Sequence, residues 1–197
     1  MNDAWFDRPA LTGRRVRLEP LSADHAEGLF KAGADPAVWT WLSSFQPDGV
    51  DGMRVIVEKA LNAYQHRIQV PWVQLDAATG EVAGTTSYYE VAPAHRGLCI
   101  GSTWLGARWH RTGMNTEAKL LLMERAFEGL GAIRVGWHTH HRNERSRRAI
   151  ERLGASFEGI HRNHRIMPDG STRDTATYGM TDAEWPAARA ALRARLR

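Results

Sequence analysis

One stretch of the sequence, from residue 98 to residue 130, restricts the possible folds more than any other. Residues 98–105 are predicted to form a strand, and residues 117–130 a helix whose apolar side chains recur at helical spacing. A polar turn centred on Gly113 joins them. A strand that turns through a glycine into a helix presents unpaired backbone N–H groups, and such groups suit phosphate. The stretch therefore predicts an anion-binding turn between a strand and a helix.

The segments around this stretch predict how the strands pair. Gly131 ends the helix, and residues 133–139 alternate as a further strand. A strand, a helix and a strand of these lengths form a parallel pair with a right-handed crossover. Short turns join two other pairs of neighbouring strands, which predicts two antiparallel hairpins: 70–75 with 81–91, and 157–166 with 173–180.

The remaining segments complete one domain over residues 1–197. Residues 1–13 are predicted to form an extended lead-in and residues 15–19 a first strand. Four further helices are predicted, at 23–33, 53–66, 144–153 and 182–196. The predicted fold class is therefore α/β (α+β), with a mixed, mostly antiparallel central sheet, one parallel strand pair and helices on both faces.

Composition narrows the class of protein further. The chain is 43% hydrophobic and 24% charged, which is typical of a soluble globular protein, and its apolar runs are too short to span a bilayer. The first residues lack a signal-peptide pattern, so a cytoplasmic protein is expected. A single cysteine, Cys99, excludes an intrachain disulfide. The formal charge of +4 favours an anionic ligand, either a phosphorylated cofactor or nucleic acid.

Three motifs carry a resemblance to a known family. They are Arg111-Thr-Gly-Met-Asn-Thr-Glu-Ala-Lys119, Arg142-Asn-Glu-Arg-Ser-Arg-Arg-Ala-Ile150 and Leu153-Gly-Ala-Ser-Phe-Glu-Gly159. In this order and at this spacing, the chain resembles the GNAT superfamily of acetyl-coenzyme A-dependent N-acetyltransferases, and within it the branch of the ribosomal-protein-alanine N-acetyltransferases. The resemblance extends from Gly13 to Pro186. It implies that the parallel strands splay apart, that acetyl-coenzyme A is the cosubstrate without a metal, and that the acceptor is an amine.

The resemblance also implies the residues that hold the cosubstrate. The backbone of Trp104 and Leu105 would pair with the pantetheine arm as a strand would. Asn143 and Ser146, one helical turn apart, would lie near the pantetheine amide and the sulfur. The pyrophosphate would be held by the backbone N–H groups of Arg111, Thr112, Gly113, Met114, Asn115 and Thr116.

The phosphate turn departs from the pattern of the superfamily. The usual Gln/Arg-x-x-Gly-x-Gly/Ala reads His110, Gly113 and Asn115 here. Asparagine tolerates the left-handed conformation that the missing glycine would supply, and Asn115 or Thr116 would then cap the helix.

Two residues are implied as catalytic groups. Ser146 would donate a proton to the departing thiolate as general acid, and Glu158 would take a proton from the amine as general base. A surface or salt-bridged position for Glu158 is the alternative. Transfer would be direct, through a tetrahedral intermediate. Cys99, the single thiol of the chain, is expected to be a buried packing residue rather than a covalent nucleophile.

The acceptor is the least determined part of the function. The ribosomal-protein branch implies a protein N-terminal amine, whereas other relatives of the fold acetylate amino acids, polyamines or antibiotics. Trp39, Trp41 and Phe45 fall in an irregular segment and are expected either to plug the core or to line the acceptor pocket. A homodimer is expected from the family.

Three other interpretations stay open at this point. The basic run from His138 to Arg148 and the positive net charge are compatible with nucleic-acid binding, although coenzyme A phosphates account for the same charge. His138 and His140 share a strand face, but no carboxylate accompanies them at typical ligand spacing, so no metal site is expected. The third interpretation is a GNAT fold that binds the cosubstrate without transferring its acetyl group.

Overall fold

An eight-stranded sheet forms the centre of residues 3–197, which are the residues that the computed structural model describes. Met1 and Asn2 of the predicted lead-in lie outside them. The strands are β1 Leu11–Thr12, β2 Val16–Pro20, β3 Gln69–Asp76, β4 Val82–Ala92, β5 Gly97–Leu105, β6 Arg134–His140, β7 Ser156–Ile166 and β8 Thr172–Thr181. Their spatial order is β1-β2-β3-β4-β5-β6-β8-β7. Pairing is antiparallel except between β5 and β6, so the predicted mixed sheet is confirmed.

Helices cover both faces of this sheet, as predicted. The described chain has α1 Ala26–Ala32, α2 Val50–Gln65, α3 Met114–Glu124, α4 Glu144–Glu151 and α5 Trp185–Leu196, and α3 continues as a π-helical turn over Arg125–Gly129. Side chains alternate across a strand, so Trp72 and Val73 of β3 belong to different hydrophobic clusters. Val73 packs with α1 and α2, whereas Trp72 packs with α3 and α5. No helix within residues 3–197 is long and apolar enough to cross a membrane.

The parallel pair opens along its length. Gly97, Leu98 and Cys99 of β5 lie opposite Arg134, Val135 and Gly136 of β6, and the register ends there. β5 nevertheless continues to Leu105 and β6 to His140, so their carboxyl ends diverge at one edge of the sheet. The splayed strand pair that the family resemblance implied is therefore present.

Several predicted boundaries are wrong by a few residues. The lead-in is not simply extended: Asp3–Phe6 forms a 3-10 turn that buries Trp5, and β1 follows it. α2 begins at Val50 rather than residue 53, directly after Gly49. α5 begins at Trp185 rather than residue 182, and α4 ends at residue 151 rather than 153. The shifts in α2, α4 and α5 fall at helix termini, where boundaries are least sharply defined because helix ends fray.

Candidate active site

The turn between β5 and α3 brings backbone N–H groups together at the start of a helix. Arg111 and Gly113 both have left-handed backbone, with φ of 62° and 85°. The first intrahelical hydrogen bond of α3 is donated by the N–H of Glu117 to the carbonyl of Gly113, at 3.0 Å. The N–H groups of Asn115 and Thr116 come before that bond, so they belong to the free donors at a helix start, whereas the N–H of Met114 donates to Thr112 Oγ1 at 3.4 Å. The turn therefore offers clustered N–H groups and the positive end of a helix dipole.

The predicted conformation of Asn115 is wrong. Asn115 is the second residue of α3 and is helical, and the cap of α3 is Gly113 rather than Asn115 or Thr116. The reason is that Arg111 and Gly113 already supply the two left-handed positions, so the turn is complete before Asn115. A second glycine is accordingly not needed at position 115, and the departure from the family pattern leaves the turn intact.

Two side chains from distant parts of the chain support this turn. The carboxylate of Glu117, only 6% exposed, accepts the backbone N–H groups of Arg14, Arg15 and Val16 at 3.0, 2.6 and 2.9 Å. This places the Arg15 side chain against the turn: a Cβ atom added at Gly113 would lie 3.1 Å from Arg15 Nε. Local sequence patterns did not indicate a role for Arg15. It lies between β1 and β2, far from Gly113 in the sequence, and the two residues come together only in the folded chain.

The carbonyl groups at the end of β5 already accept side-chain hydrogen bonds. Gln74 Nε2 donates to the carbonyl of Trp104 at 3.2 Å, and a ring nitrogen of His110, Nε2, lies 3.0 Å from the carbonyl of Leu105. His110 therefore fixes the end of strand β5. These bonds hold the Trp104–Leu105 backbone in place beside the opening between β5 and β6.

The start of α4 faces the same opening. Asn143 Oδ1 accepts the N–H of Ser146 at 3.1 Å, which confirms that Asn143 is the N-cap. Ser146 is half-buried. Because α4 follows β6 directly, the structure brings Asn143 and Ser146 to the same sheet edge as the phosphate turn.

Glu158 lies on β7 and forms an ion pair with Arg134 of β6. Its two carboxylate oxygens accept hydrogen bonds from Arg134 Nη1 and Nη2 at 2.6 and 2.5 Å. This pairing lowers the pKa of Glu158 below its ordinary value. A Cβ atom added at Gly179 would clash with Glu158 Oε1 and Arg134 Nη1, and Gly179 pairs with Gly136 of β6, so the ion pair lies beside the last residue of the β5–β6 register. The salt-bridged alternative describes this position, and a role as general base stays a prediction.

A cavity lies next to β5, on the sheet face that α1 and α2 cover. Its volume is about 360 Å³, and its walls come from α1, α2, the segment between them, and β3 to β5. The ring of Trp39 is buried and lies 5.6 Å from that of Trp104, so it serves both the core and the cavity wall. Trp41 packs on His140 at 4.5 Å, whereas Phe45 is 67% exposed and plugs nothing.

None of the residues that line this cavity in the described chain carries a carboxylate. Its lining combines apolar side chains with hydroxyl groups, including Leu42, Ser43, Met53, Ile56, Ser87, Ser102 and Trp104. Lys59 is the one charged residue among those lining it within residues 3–197. The cavity therefore suits a small, partly apolar group and offers no strong base of its own.

The histidines and the cysteine differ from their predicted surroundings. Glu90 Oε1 lies 3.6 Å from His138 Nδ1, so β4 supplies a carboxylate from far away in the sequence, outside the local ligand spacing on which the expectation of no metal site rested. Cys99 is half-buried and lies 3.4 Å from the same carboxylate, rather than in an apolar core. Burial, with Glu90 adding to it, raises the pKa of the Cys99 thiol to about 12, which makes it a poor nucleophile.

A buried lysine was not anticipated from the sequence. Lys119 in α3 is 5% exposed, and its ammonium nitrogen donates to Thr86 Oγ1 at 2.9 Å and to Thr103 Oγ1 at 2.6 Å. Burial lowers the pKa of Lys119 to about 7. The position of Lys119 within a run of apolar helix residues is the feature of the sequence that could have indicated its burial.

The basic run contributes less free charge than its sequence indicates. Arg147 Nε donates to the Tyr178 hydroxyl at 2.9 Å, and Arg148 pairs with Glu144 at 2.7 Å. These arginines stabilise α4 and its contact with the sheet, which weakens the case for a nucleic-acid surface.

Comparison with known proteins agrees with this geometry. A family model described as an acetyltransferase (GNAT) domain matches residues 15–156. The solved structure of a GCN5-related N-acetyltransferase from Brucella melitensis superposes with a TM-score of 0.92 at 36% identity, over 97% of this chain and 86% of that one. The uncharacterized N-acetyltransferase YoaA of Bacillus subtilis (strain 168) is 24% identical over 138 residues, which is 70% of this chain and 77% of YoaA.

The fold extends to more distant enzymes. The structure of RimL, a ribosomal L7/L12 alpha-N-protein acetyltransferase, superposes with a TM-score of 0.75 at 17% identity, over 88% of this chain and 94% of RimL. At this identity the likeness concerns the fold alone.

The splayed strand pair, the glycine turn and the matched domain define the class. The chain belongs to the GNAT acetyltransferase family, and it is an N-acetyltransferase, which uses acetyl-coenzyme A as cosubstrate and an amine as acceptor.

Proposed function

We propose that this N-acetyltransferase acetylates the α-amino group at the N-terminus of a peptide or protein. The observation that carries the proposal is the cavity beside Trp104, which is about 360 Å³ in volume, combines apolar side chains with hydroxyl groups and is lined by no carboxylate within the described chain. A cavity of this size accommodates one side chain next to the amine. RimL, which shares the fold, acts on a protein N-terminus by its name.

The absence of a carboxylate from that lining favours α-amines for a chemical reason. Only the unprotonated amine attacks a thioester. An α-amino group has a pKa near 7.8 and a lysine side chain one near 10.4, so at pH 7.5 about 30% of the first but only about 0.1% of the second is unprotonated. An enzyme without a strong base at the acceptor therefore discriminates in favour of α-amines by roughly 300-fold before any contact is made.

The cosubstrate would be held by the open end of the strand pair. The N–H groups of the turn, from Arg111 through Thr112, Gly113, Met114 and Asn115 to Thr116, would bind the pyrophosphate, with the Arg15 guanidinium beside them. The backbone at Trp104 and Leu105 and the α4 start at Asn143 would orient the pantetheine arm. Acetyl-coenzyme A supplies the activated acetyl group when bound.

Two side chains are proposed to move protons. Ser146, at the start of α4, would donate a proton to the leaving sulfur, and its hydroxyl would recover that proton from solvent or from the attacking amine. Glu158, which lies outside the cavity lining and pairs with Arg134, is proposed as the base and would reach the amine only through water. Glu158→Gln should lower kcat and leave coenzyme A affinity unchanged; wild-type turnover would remove Glu158 from the mechanism.

Matched acceptors test the function. Thiol release from acetyl-coenzyme A and product mass are measured with a peptide bearing a free N-terminus, with the same peptide blocked at the N-terminus but containing lysine, and with a polyamine. The proposal predicts acetylation of the free N-terminus at a kcat/KM at least 100-fold above the blocked peptide. Faster turnover of the polyamine or the blocked peptide would replace the proposal with a small-molecule or lysine acceptor.

A cytoplasmic location and a homodimer complete the proposal. The edge strand β7 exposes Phe157 and Ile160, at 50% and 40%, which supports pairing with a second copy through this strand. Light scattering on the purified protein should give twice the monomer mass, and Phe157→Lys should give the monomer. A wild-type monomer at micromolar concentration would contradict the dimer.

A further inference from the structure

A cluster of side chains that can bind a metal ion lies on the sheet face opposite to α3. Glu90, Cys99 and His138, from β4, β5 and β6, offer a carboxylate oxygen, a sulfur and an imidazole nitrogen that all lie within 4.8 Å of one another. Cys99 alternates with Leu98 and Ile100, which pack towards α3, so its side chain points to the opposite face. Three neighbouring strands therefore present their ligand atoms at one point.

The separations suit a tetrahedral ion. Cys99 Sγ lies 3.4 Å from Glu90 Oε2, and His138 Nδ1 lies 3.6 Å from Glu90 Oε1. With bond lengths of about 2.0–2.3 Å, neighbouring ligand atoms around tetrahedral zinc are about 3.3–3.5 Å apart. The two distances end on different oxygens of Glu90, and the three ligand atoms lie within 4.8 Å of one another, so one ion bound through a single oxygen needs them to move closer by about 1 Å.

His138 gives an independent reason to expect a ligand. Its Nδ1 atom is buried and has no hydrogen-bond partner within residues 3–197. Buried polar atoms are paired in the great majority of cases, so an unpaired one aimed at a carboxylate and a thiol calls for an explanation. A bound cation would satisfy the nitrogen lone pair and the carboxylate at once.

Strand β7 offers a histidine as the fourth ligand, and it also carries an arginine that competes with the ion for Glu90. The ring centres of His161 and His164 lie 6.5 and 6.1 Å from that of His138, whereas two imidazoles on one tetrahedral ion have ring centres about 5 Å apart. A side-chain rotation closes that difference. Arg165 Nη2 lies 3.9 Å from Glu90 Oε1 and would have to leave it, which costs little for an exposed pair.

We propose that Glu90, Cys99 and His138, completed by His161 or His164, form a binding site for one zinc ion. On binding, the Cys99 thiol releases its proton to solvent and coordinates as thiolate, so the two anionic ligands balance the charge of the ion. The site would tie β4, β5, β6 and the β7–β8 hairpin together. It reverses the expectation of no metal drawn from the sequence, and it does not depend on the identity of the acceptor.

Cobalt(II) is a suitable probe because its spectrum reports the ligands. Reduced, metal-free protein is titrated with Co²⁺, and Zn²⁺ is then added. The proposal predicts one equivalent bound, visible bands of tetrahedral cobalt, a near-ultraviolet thiolate-to-cobalt charge-transfer band, and loss of all bands on adding Zn²⁺.

Variants assign the signal to these residues. Cys99→Ser should abolish the charge-transfer band, and His138→Gln should weaken Co²⁺ binding at least about tenfold. His66→Ala, which removes an exposed histidine on α2's end, should leave both unchanged. Thermal melting of each variant without metal checks that it folds. If Cys99→Ser or His138→Gln does not fold, Glu90→Gln replaces it in the binding measurement. Octahedral cobalt without a thiolate band, or binding that survives both Cys99→Ser and His138→Gln, would overturn the proposal.

Discussion

Replacement of Lys119 by methionine is predicted to stabilise the protein and to change how its stability depends on pH. Lys119 is buried with two hydroxyl partners and no carboxylate among its hydrogen-bond partners in the described chain. Methionine has a similar length and no charge. Thr86 and Thr103 lie 2.8 Å apart and bond to each other, so the substitution leaves neither hydroxyl stranded.

The magnitude follows from the depressed pKa. The pKa of Lys119 is about 7 in the folded state, against about 10.4 in the unfolded chain. Between these values the unfolded state binds more protons, so stability rises with pH and the destabilisation is complete below the folded value. At pH 7 it amounts to about 4 kcal/mol. Two lost hydrogen bonds of about 1 kcal/mol each leave Lys119→Met more stable by about 2 kcal/mol.

Thermal unfolding from pH 6 to pH 9 measures this difference. Across that range the wild type should gain about 2.5 kcal/mol relative to Lys119→Met, or about 5–10 °C in Tm for a domain of this size. Lys31→Met is the matched control, because the Lys31 side chain is 72% exposed and should not alter the profile. Parallel Tm profiles for the wild type and Lys119→Met would contradict a depressed pKa for Lys119 in the folded state.

Three further substitutions test how the site is built. Gly113→Ala forces a Cβ onto a backbone with φ of 85° and against Arg15, so it should cost about 1 kcal/mol in urea unfolding and weaken coenzyme A binding in calorimetry. Glu117→Ala removes the acceptor of three backbone N–H groups, of which that of Val16 is buried, and should cost about 3 kcal/mol by the same unfolding measurement. Asn143→Ala removes the cap of α4 and should cost about 1 kcal/mol; unchanged stability would mean that water replaces it.

The sheet was predictable from the sequence because its signals are local. The hairpin turns, the alternation of strands and the crossover through α3 each follow from neighbouring residues, and the structure has all of them. The insertion of β8 between β6 and β7 was not among the predictions, since strand order depends on contacts between segments far apart in the chain.

The candidate site was predictable only in part for the same reason. The Gly113 turn and the Asn143 cap depend on their own neighbours, and the structure has both. Arg15 at the turn, Glu90 beside His138 and the buried Lys119 depend on which strands lie side by side, which no local pattern indicates. The ion pair of Glu158 with Arg134 joins β7 to β6 across β8, so its position too required the fold.

The most direct test of the account is the change in Tm on adding acetyl-coenzyme A at low and at moderate salt. A ligand that binds the native state at 100 times its Kd stabilises it by about 2.7 kcal/mol, or about 5–10 °C here. A shift of this size that persists in moderate salt is expected, because backbone N–H groups and the opening between β5 and β6 hold the ligand in addition to charged side chains. No shift at saturating acetyl-coenzyme A would contradict the assignment of the β5–α3 turn as the cosubstrate site.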